Sequence, residues 1–235
     1  MPRQEECRGI FARIDRKRIS KSHKVVAEGN AEIQDEGSQI IALECAPRST
    51  DKVVDFCAGA GGKTLALSYL MQNKGQIYAT DNNEKRLEQA KLRMRKRQVF
   101  NVHCHLISSK WIKRHANFAD VVLVDAPCSG SGTWRRNPDM KLRISEQMLT
   151  EVTEKQREIL DKAKNLVKIG GKLVYATCSI FNEENEEQVK WFLENNKGFE
   201  IEKPVTICQE NDYIKMSPHK TDTDGFFCVK FVRRS

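Results

Sequence analysis

The sequence has no apolar run approaching the roughly 18–20 residues a membrane-spanning helix needs, and its start, Met1-Pro2-Arg3-Gln4-Glu5-Glu6, carries no apolar segment of the secretory kind. These absences predict a cytoplasmic chain with no membrane partner. It also lacks any Cys-x-x-Cys pair. Its 8 cysteines stand apart at positions 7, 45, 57, 104, 128, 178, 208 and 228, which argues against a disulfide scaffold and for reduced thiols. Internal repeats and low-complexity linkers are missing as well, so no second large domain is expected within the 235 residues. Acids are the minority charge. Lys+Arg 40 against Asp+Glu 32 leaves a net +8, a balance that favours a polyanionic partner.

What is present has a clear rhythm from residue 52 onward. Short β-branched runs over 53–56, 76–80, 121–124 and 172–176 alternate with helix-like segments over 64–72, 83–98, 145–167 and 183–195, the last with Asn182 as N-cap and acids in its first turn. Strand alternating with helix predicts an α/β fold with a parallel sheet covered on both faces. Residues 226–232 alternate well enough to form a closing strand. Before the rhythm begins, residues 8–24 carry seven basic side chains against one acid, Asp15, and read as an arm facing a polyanion.

The first strand runs into Cys57-Ala58-Gly59-Ala60-Gly61-Gly62-Lys63-Thr64 and then a helix, the arrangement of a nucleotide-type site. It is not a P-loop, because Cys57 stands where the first glycine belongs, and the dinucleotide pattern fails at Thr64. Asp81, about twenty residues on at the end of the next strand, stands where a carboxylate can hold both ribose hydroxyls. A ribose-bearing cofactor without an obligatory pyrophosphate fits, and S-adenosylmethionine is one.

Two cysteines follow buried-looking strands, in Asp125-Ala126-Pro127-Cys128-Ser129-Gly130 and Thr177-Cys178-Ser179. Ligands of open α/β sheets bind at the carboxyl ends of the strands, so both thiols are expected on the rim that holds the glycine loop. The other cysteines read as packing or surface residues. His103-Cys104-His105 offers three metal-ligating side chains, but neighbours in a strand point to opposite faces and no second ligand pair has suitable spacing; no metal site is expected. A methyl donor beside two thiols suggests a chemistry. Carbon 5 of a pyrimidine is a poor nucleophile until a thiolate adds at carbon 6; one cysteine attacks and another group assists release. Asp125 is placed to hydrogen-bond the pyrimidine edge and favour charge build-up at nitrogen 3.

From Gln34 to Val232 the chain resembles the Sun/Fmu-type (RsmB-like) RNA cytosine-C5 methyltransferases, and within them the bacterial small-subunit ribosomal RNA enzymes. The resemblance rests on Gln34-Asp35-x-x-Ser38, Cys57-x-x-x-Gly61-Gly62-Lys63-Thr64, Asp81 with Arg86-Leu87, Asp125-Ala126-Pro127-Cys128-Ser129-Gly130, Arg135-Arg136-Asn137-Pro138-Asp139, Thr177-Cys178-Ser179 with Glu183-Glu184-Asn185, and Asp224-Gly225-Phe226-Phe227. It implies a Rossmann-like methyltransferase fold with a mainly parallel seven-stranded sheet, and a cytosine in RNA, most readily ribosomal RNA, as substrate. It makes Cys178 the nucleophile, Cys128 the residue that assists release, and Asp125 the third catalytic group. Cys57, Ala58, Gly59, Ala60, Gly61, Gly62, Lys63, Asp81, Arg86 and Asp125 become the S-adenosylmethionine site, and Phe226-Phe227, which composition alone would place in the core, becomes an active-site wall. The chain departs from the family at Ala60, commonly Pro, and at Leu106-Ile107-Ser108-Ser109, where a Gly-Asp pair commonly lies near the adenine. A large N-terminal RNA-binding domain is also missing. Either the basic arm and helix surfaces supply the phosphate contacts or the chain is a fragment, so residues 1–50 are read as a basic, partial or truncated RNA-facing subdomain and residues 51–235 as the catalytic domain of a monomer.

Two other readings compete. A methyltransferase acting on side-chain amides is disfavoured because the loop reads Asp125-Ala126-Pro127-Cys128 rather than Asn/Asp-Pro-Pro-Tyr/Phe. A non-catalytic RNA-binding or ribosome-assembly protein on the same fold predicts decay of Cys178, Cys128, Asp125, Lys63 or Asp81, and all five are present. For RNA contact, Arg135-Arg136 on the expected rim is preferred over Arg93, Arg95, Lys96 and Arg97, whose place at a helix C-terminus is favourable whatever the function.

Overall fold

The computed structural model describes residues 24–206 and 212–235, so Cys7, Cys208 and all of the basic arm except Lys24 lie outside the described residues. Among the described residues there are eight strands: β1 (Lys52–Asp55), β2 (Gln76–Asp81), β3 (Val102–Leu106), β4 (Ala119–Asp125), β5 (Val167–Thr177), β6 (Phe199–Glu202), β7 (Ile214–Met216) and β8 (Phe226–Arg233). The helices are α1 (Lys24–Ala27), α2 (Glu36–Glu44), α3 (Gly62–Leu70), α4 (Glu84–Lys96), α5 (Ser109–Arg114), α6 (Glu146–Ala163), α7 (Glu186–Asn195) and α8 (Pro218–Thr221).

One sheet carries all eight strands in the order β3-β2-β1-β4-β5-β8-β6, with β7 also on β8. β1 to β5 are parallel, and β8 runs antiparallel to β5. There are eight strands where the resemblance implied seven because two short segments share one edge of β8. β6 pairs with its Lys230–Arg233 end and β7 with its Phe226–Cys228 end. The expected strands over 53–56, 76–80, 121–124, 172–176 and 226–232 are all there, shifted or extended by a few residues.

Alternation along β4 divides the core. Val122 and Val124 face a cluster with Ile159 and Leu160 of α6 and Val189 and Phe192 of α7, whereas Val121 and Leu123 face Ile41 and Ala42 of α2 and Ala66 and Leu67 of α3. Each fully buried aliphatic side chain of this kind contributes about 1.5–3 kcal/mol. Helix α2, which belongs to the 1–50 segment of the sequence reading, thus packs on the same sheet as the rest.

The helices form where the sequence supplies caps and stripes. Asn83 accepts the Arg86 N–H to start α4, and Leu87, Ala90 and Met94 give it one buried stripe. Ser145 caps α6 through the Met148 N–H. Helix α7 differs from its expected form. Asn182–Glu184 is a 3₁₀ turn and the α-helix proper begins at Glu186, because Glu184 and Asn185 turn their side chains inward instead of capping. Strand order reverses between β1 and β4, which opens the crevice where ligands of such sheets bind.

Candidate active site

Four strands end at this crevice with polar residues: Asp55 on β1, Asp81 on β2, Asp125 on β4 and Thr177 on β5. The glycine loop lies between the first two. Gly59 takes φ +54°, and nothing stands within 4 Å of where a Cβ would be, so its backbone borders open space. Gly61 serves packing instead. A Cβ there would meet Met94 at 3.0 Å and Ala90 at 3.1 Å, so its absence lets the loop lie against α4. Arg93 then ties the loop down by donating from Nη1 to the Ala60 carbonyl at 2.6 Å.

Asp81 is buried and held from two sides, its Oδ2 accepting the Gly59 N–H at 2.9 Å and its Oδ1 the Asn83 N–H at 2.8 Å. Arg86 is exposed, and its backbone N–H is used by the Asn83 cap. Cys57 packs against the core cluster of β1 and β4, where burial raises its thiol pKa above the usual range. Leu106 ends β3, and Ser108 caps α5 by accepting the Trp111 N–H.

Across the crevice, Lys63 Nζ lies 2.7 Å from Asp125 Oδ2. Burial works against the ammonium, but the Asp125 carboxylate outweighs it and raises the Lys63 pKa. Beneath them Asp55 is fully buried, accepting from the Thr64 hydroxyl at 2.7 Å, and burial pushes its carboxyl up to about 7.

Cys128 and Cys178 meet on this rim with their sulfurs 3.2 Å apart. Their surroundings are unequal. Cys178 is the thiol with the lowered pKa, through the hydrogen bond from Cys128 and with Lys63 nearby, whereas that bond, burial and the Glu184 charge all raise Cys128. Cys178 therefore ionises first, with Cys128 donating to it.

A buried carboxylate binds the two cysteine loops together. Glu184 accepts from the Ser129 N–H at 2.8 Å and Gln156 Nε2 at 3.0 Å, and from the hydroxyls of Ser129 and Ser179. Asn185 accepts from Thr177 Oγ1 at 2.6 Å and donates to the Ser179 carbonyl at 3.0 Å. Backbone bonds extend the stitching, from Gly132 to the Cys178 carbonyl at 2.9 Å and from Gly225 to the Gly132 carbonyl at 2.8 Å. A Cβ on Gly132 would sit 2.0 Å from the Gly225 oxygen, so the approach requires glycine. Sequence reasoning places Glu183-Glu184-Asn185 in the family pattern without giving Glu184 this position, since an acid in a first helical turn usually faces water. The signal was Ser129 and Ser179, which need a common acceptor if they are buried beside the cysteines.

Phe226 lies 5.7 Å from Lys63 Nζ and backs the site, while Phe227 is plain core. Arg135 and Arg136, preferred for RNA contact, are engaged in ion pairs on the rim. Arg136 pairs with Asp224, which is fully buried, and Arg135 lies 3.6 Å from both Asp222 and Asp224. Both guanidinium groups thus face a buried carboxylate, and both stay partly exposed to solvent. His103-Cys104-His105 lies on edge strand β3 as expected.

The sheet, with its strand order and antiparallel closing strand, is the Rossmann-like fold of S-adenosylmethionine-dependent methyltransferases. The chain belongs to the 16S rRNA methyltransferase RsmB/F family, whose model matches residues 41–232. It is 33% identical over 218 residues to the probable ribosomal RNA small subunit methyltransferase B of Bacillus subtilis, an overlap of 88% of this chain and 48% of that protein. It is likewise 33% identical over 211 residues to the ribosomal RNA small subunit methyltransferase B of Shewanella oneidensis, with the same coverage. The chain thus spans about half the length of the curated relatives it matches. Among solved structures it is similar to NSun6 from Pyrococcus horikoshii with SFG, at a TM-score of 0.85 and 28% identity over 93% of this chain and 57% of that one. A methyltransferase homolog protein of Pyrococcus horikoshii follows at a TM-score of 0.78 and 31% identity, covering 92% and 73%. The crevice suits the class's cofactor. It offers open space over Gly59, a helix α3 whose N-cap Gly61 makes no side-chain bond, and the fixed Asp81 carboxylate.

Proposed function

We propose that this chain methylates carbon 5 of a cytosine in RNA, within the small-subunit ribosomal RNA that names its relatives. Cys178 acts as nucleophile and Cys128 in release. The observation that carries the reading is the pair of rim sulfurs 3.2 Å apart, with the lowered thiol pKa on Cys178 beside the Lys63–Asp125 pair.

S-adenosylmethionine supplies an electrophilic methyl group on its sulfonium. The chain holds it with the Cys57–Lys63 loop and Asp81, while Arg86 lies exposed one turn into α4. The Cys178 thiolate adds to carbon 6 of the cytosine, and the carbon 5–carbon 6 π pair moves toward nitrogen 3. That nitrogen receives a proton from the Lys63–Asp125 pair. Carbon 5 is now an enamine carbon and takes the methyl group. Release reverses the addition: the carbon 5 proton leaves to a base, the carbon 6–sulfur bond breaks as the double bond reforms, and nitrogen 3 returns its proton to the pair. Cys128, whose sulfur lies 3.2 Å from that of Cys178, donates to it as it leaves and so helps it depart as a thiolate.

Bisulfite mapping of RNA treated with this protein tests the product, and electrophoresis under denaturing conditions tests the route. Cys178→Ala is expected to abolish methylation and to form no adduct. Cys128→Ala is expected to trap a protein–RNA adduct, which the double variant loses. An adduct from Cys178→Ala alone would exchange the two roles, and activity in both variants without an adduct would end the two-thiol mechanism.

A further inference from the structure

Residues 85–114 contain ten Lys or Arg and one acid, Glu88, a surplus larger than the net +8 of the whole chain. The segment covers most of α4, all of edge strand β3, and α5. Two of the cations turn inward, Arg93 to the Ala60 carbonyl and Arg97 to Glu32 at 2.9 Å. Lys91 lies 2.6 Å from Glu88, an exposed pair worth little. Arg95, Lys96, Lys110, Lys113 and Arg114 are exposed and have no acidic partner among the described residues. Helix-end placement accounts for cations in the last turns of α4 and α5, but it does not account for the near absence of acids between them.

The same face has a groove and an exposed ring. β3 has β2 on one side only, and along its open side runs a groove of about 590 Å³ lined by Lys91, Arg95, Phe100, His103, Cys104 and His105, among others. Phe100 is 79% exposed at its edge. A single strand of nucleic acid is bound by such a combination, cations tracking the phosphates and an aromatic face stacking an unpaired base. Three strand spacings, roughly 14 Å, separate β3 from β4, after which Cys128 stands.

We propose that the outer edge of β3, with α4 and α5, is a second RNA site, where phosphates lie along the two helices and an unpaired base near the target nucleotide stacks on Phe100. This rests on the reading of RNA as the substrate. Phosphate contacts there position the strand without reading its sequence.

The test is fluorescence anisotropy of the full chain with a labelled single-stranded RNA, titrated at several salt concentrations. Lys91→Gln, Arg95→Gln, Lys110→Gln and Arg114→Gln combined are expected to weaken binding at least about tenfold and to lower the salt slope by about 0.7 for each phosphate no longer neutralised. Phe100→Ala is expected to weaken binding about fivefold or more with the slope unchanged. The denaturant midpoint of each variant controls for folding. Unchanged affinity and slope in the fourfold variant overturn the proposal and leave the face to a protein partner. A parent chain that binds no RNA overturns instead the functional reading beneath it.

Discussion

Two lysine–carboxylate pairs of nearly equal length sit in opposite surroundings. Lys230 Nζ is 2.9 Å from Glu44 Oε1, and both side chains are 1% exposed; Lys63 Nζ is 2.7 Å from Asp125 Oδ2, with exposures of 10% and 32%. Glu44 has further partners: the Val205 N–H at 3.0 Å, the Thr206 N–H at 3.2 Å and the Thr206 hydroxyl at 2.7 Å. Lys230 is shared with Glu202 at 3.2 Å. That sealed group joins α2, β8, β6 and the segment after it, and no lone pair is left to face a ligand. At the rim, Asp125 keeps a partly open carboxylate beside the cysteines. Distance alone does not separate a structural ion pair from a reactive one; the count of partners and the access of solvent do.

The largest effect that can break this comparison comes from removing one carboxylate of each pair. Glu44→Ala leaves Lys230 in the core with only the partly exposed Glu202 as counter-charge and takes the acceptor from Val205 and Thr206, and it is expected to lower stability by about 3–5 kcal/mol. Asp125→Asn removes the charge from the partly open member of its pair and leaves an amide oxygen that can still accept from Lys63, so the loss of stability is expected to be smaller than in Glu44→Ala while methylation falls. Urea unfolding beside a methyl-transfer assay reads both. Equal losses of stability would erase the distinction between the pairs.

Both pairs involve residues far apart in sequence, and that distance decides what could be read in advance. The strand, glycine loop, helix unit from Val53 to Leu70 was legible because each of its signals is local: β-branched residues, a glycine turn, a helical stripe. The rim position of Cys128 and Cys178 was legible for the same reason, each following its own strand. The Glu184 network was not. It joins α6, the loop after β4 and the turn before α7 across 28 and 55 residues, and nothing within one segment reveals the acceptor that its serines share. The Asn182 cap failed for this reason too, since tertiary partners drew Glu184 and Asn185 inward. Arg136 looked free in the sequence because its partner, Asp224, lies beyond three further strands. Lys230 in a closing strand and Glu44 in the 1–50 segment were equally silent.

Asp55 sharpens the comparison, because it lies under the rim with one oxygen on Thr64 and the other without a hydrogen-bond partner. Burial raises its carboxyl from 3.8 to about 7, with Asp125 and Asp81 adding to the rise and Thr64 and Lys63 opposing it. A raised folded-state value means that the native protein binds this proton more tightly than the unfolded chain does. Its contribution to stability is therefore full below about pH 4 and is lost as pH rises to about 7, after which it stays lost. Urea midpoints across that window are expected to fall with pH in the parent more than in Asp55→Asn. Identical slopes in the two proteins would remove Asp55 from the balance.

The smallest effect concerns the third carboxylate of the rim, which tests whether a buried acid can be fixed and still be available. Asp81 resembles Glu44 in being buried and hydrogen-bonded on both oxygens, yet its partners are only two backbone N–H groups, from Gly59 and Asn83. Each carboxylate oxygen has a second lone pair, and the open space over Gly59 leaves room for ribose hydroxyls to use them. Loss of those charge-assisted bonds in Asp81→Ala is expected to weaken S-adenosylmethionine binding by about 1–3 kcal/mol, measured by calorimetric titration. The same change orphans two N–H groups, so some stability goes with it. Asp81→Asn separates the two roles, since its amide oxygen can still accept one N–H while the negative charge is gone. If cofactor affinity survives in Asp81→Asn while the unfolding midpoint drops, Asp81 is a second Glu44, a structural acid at the edge of the site.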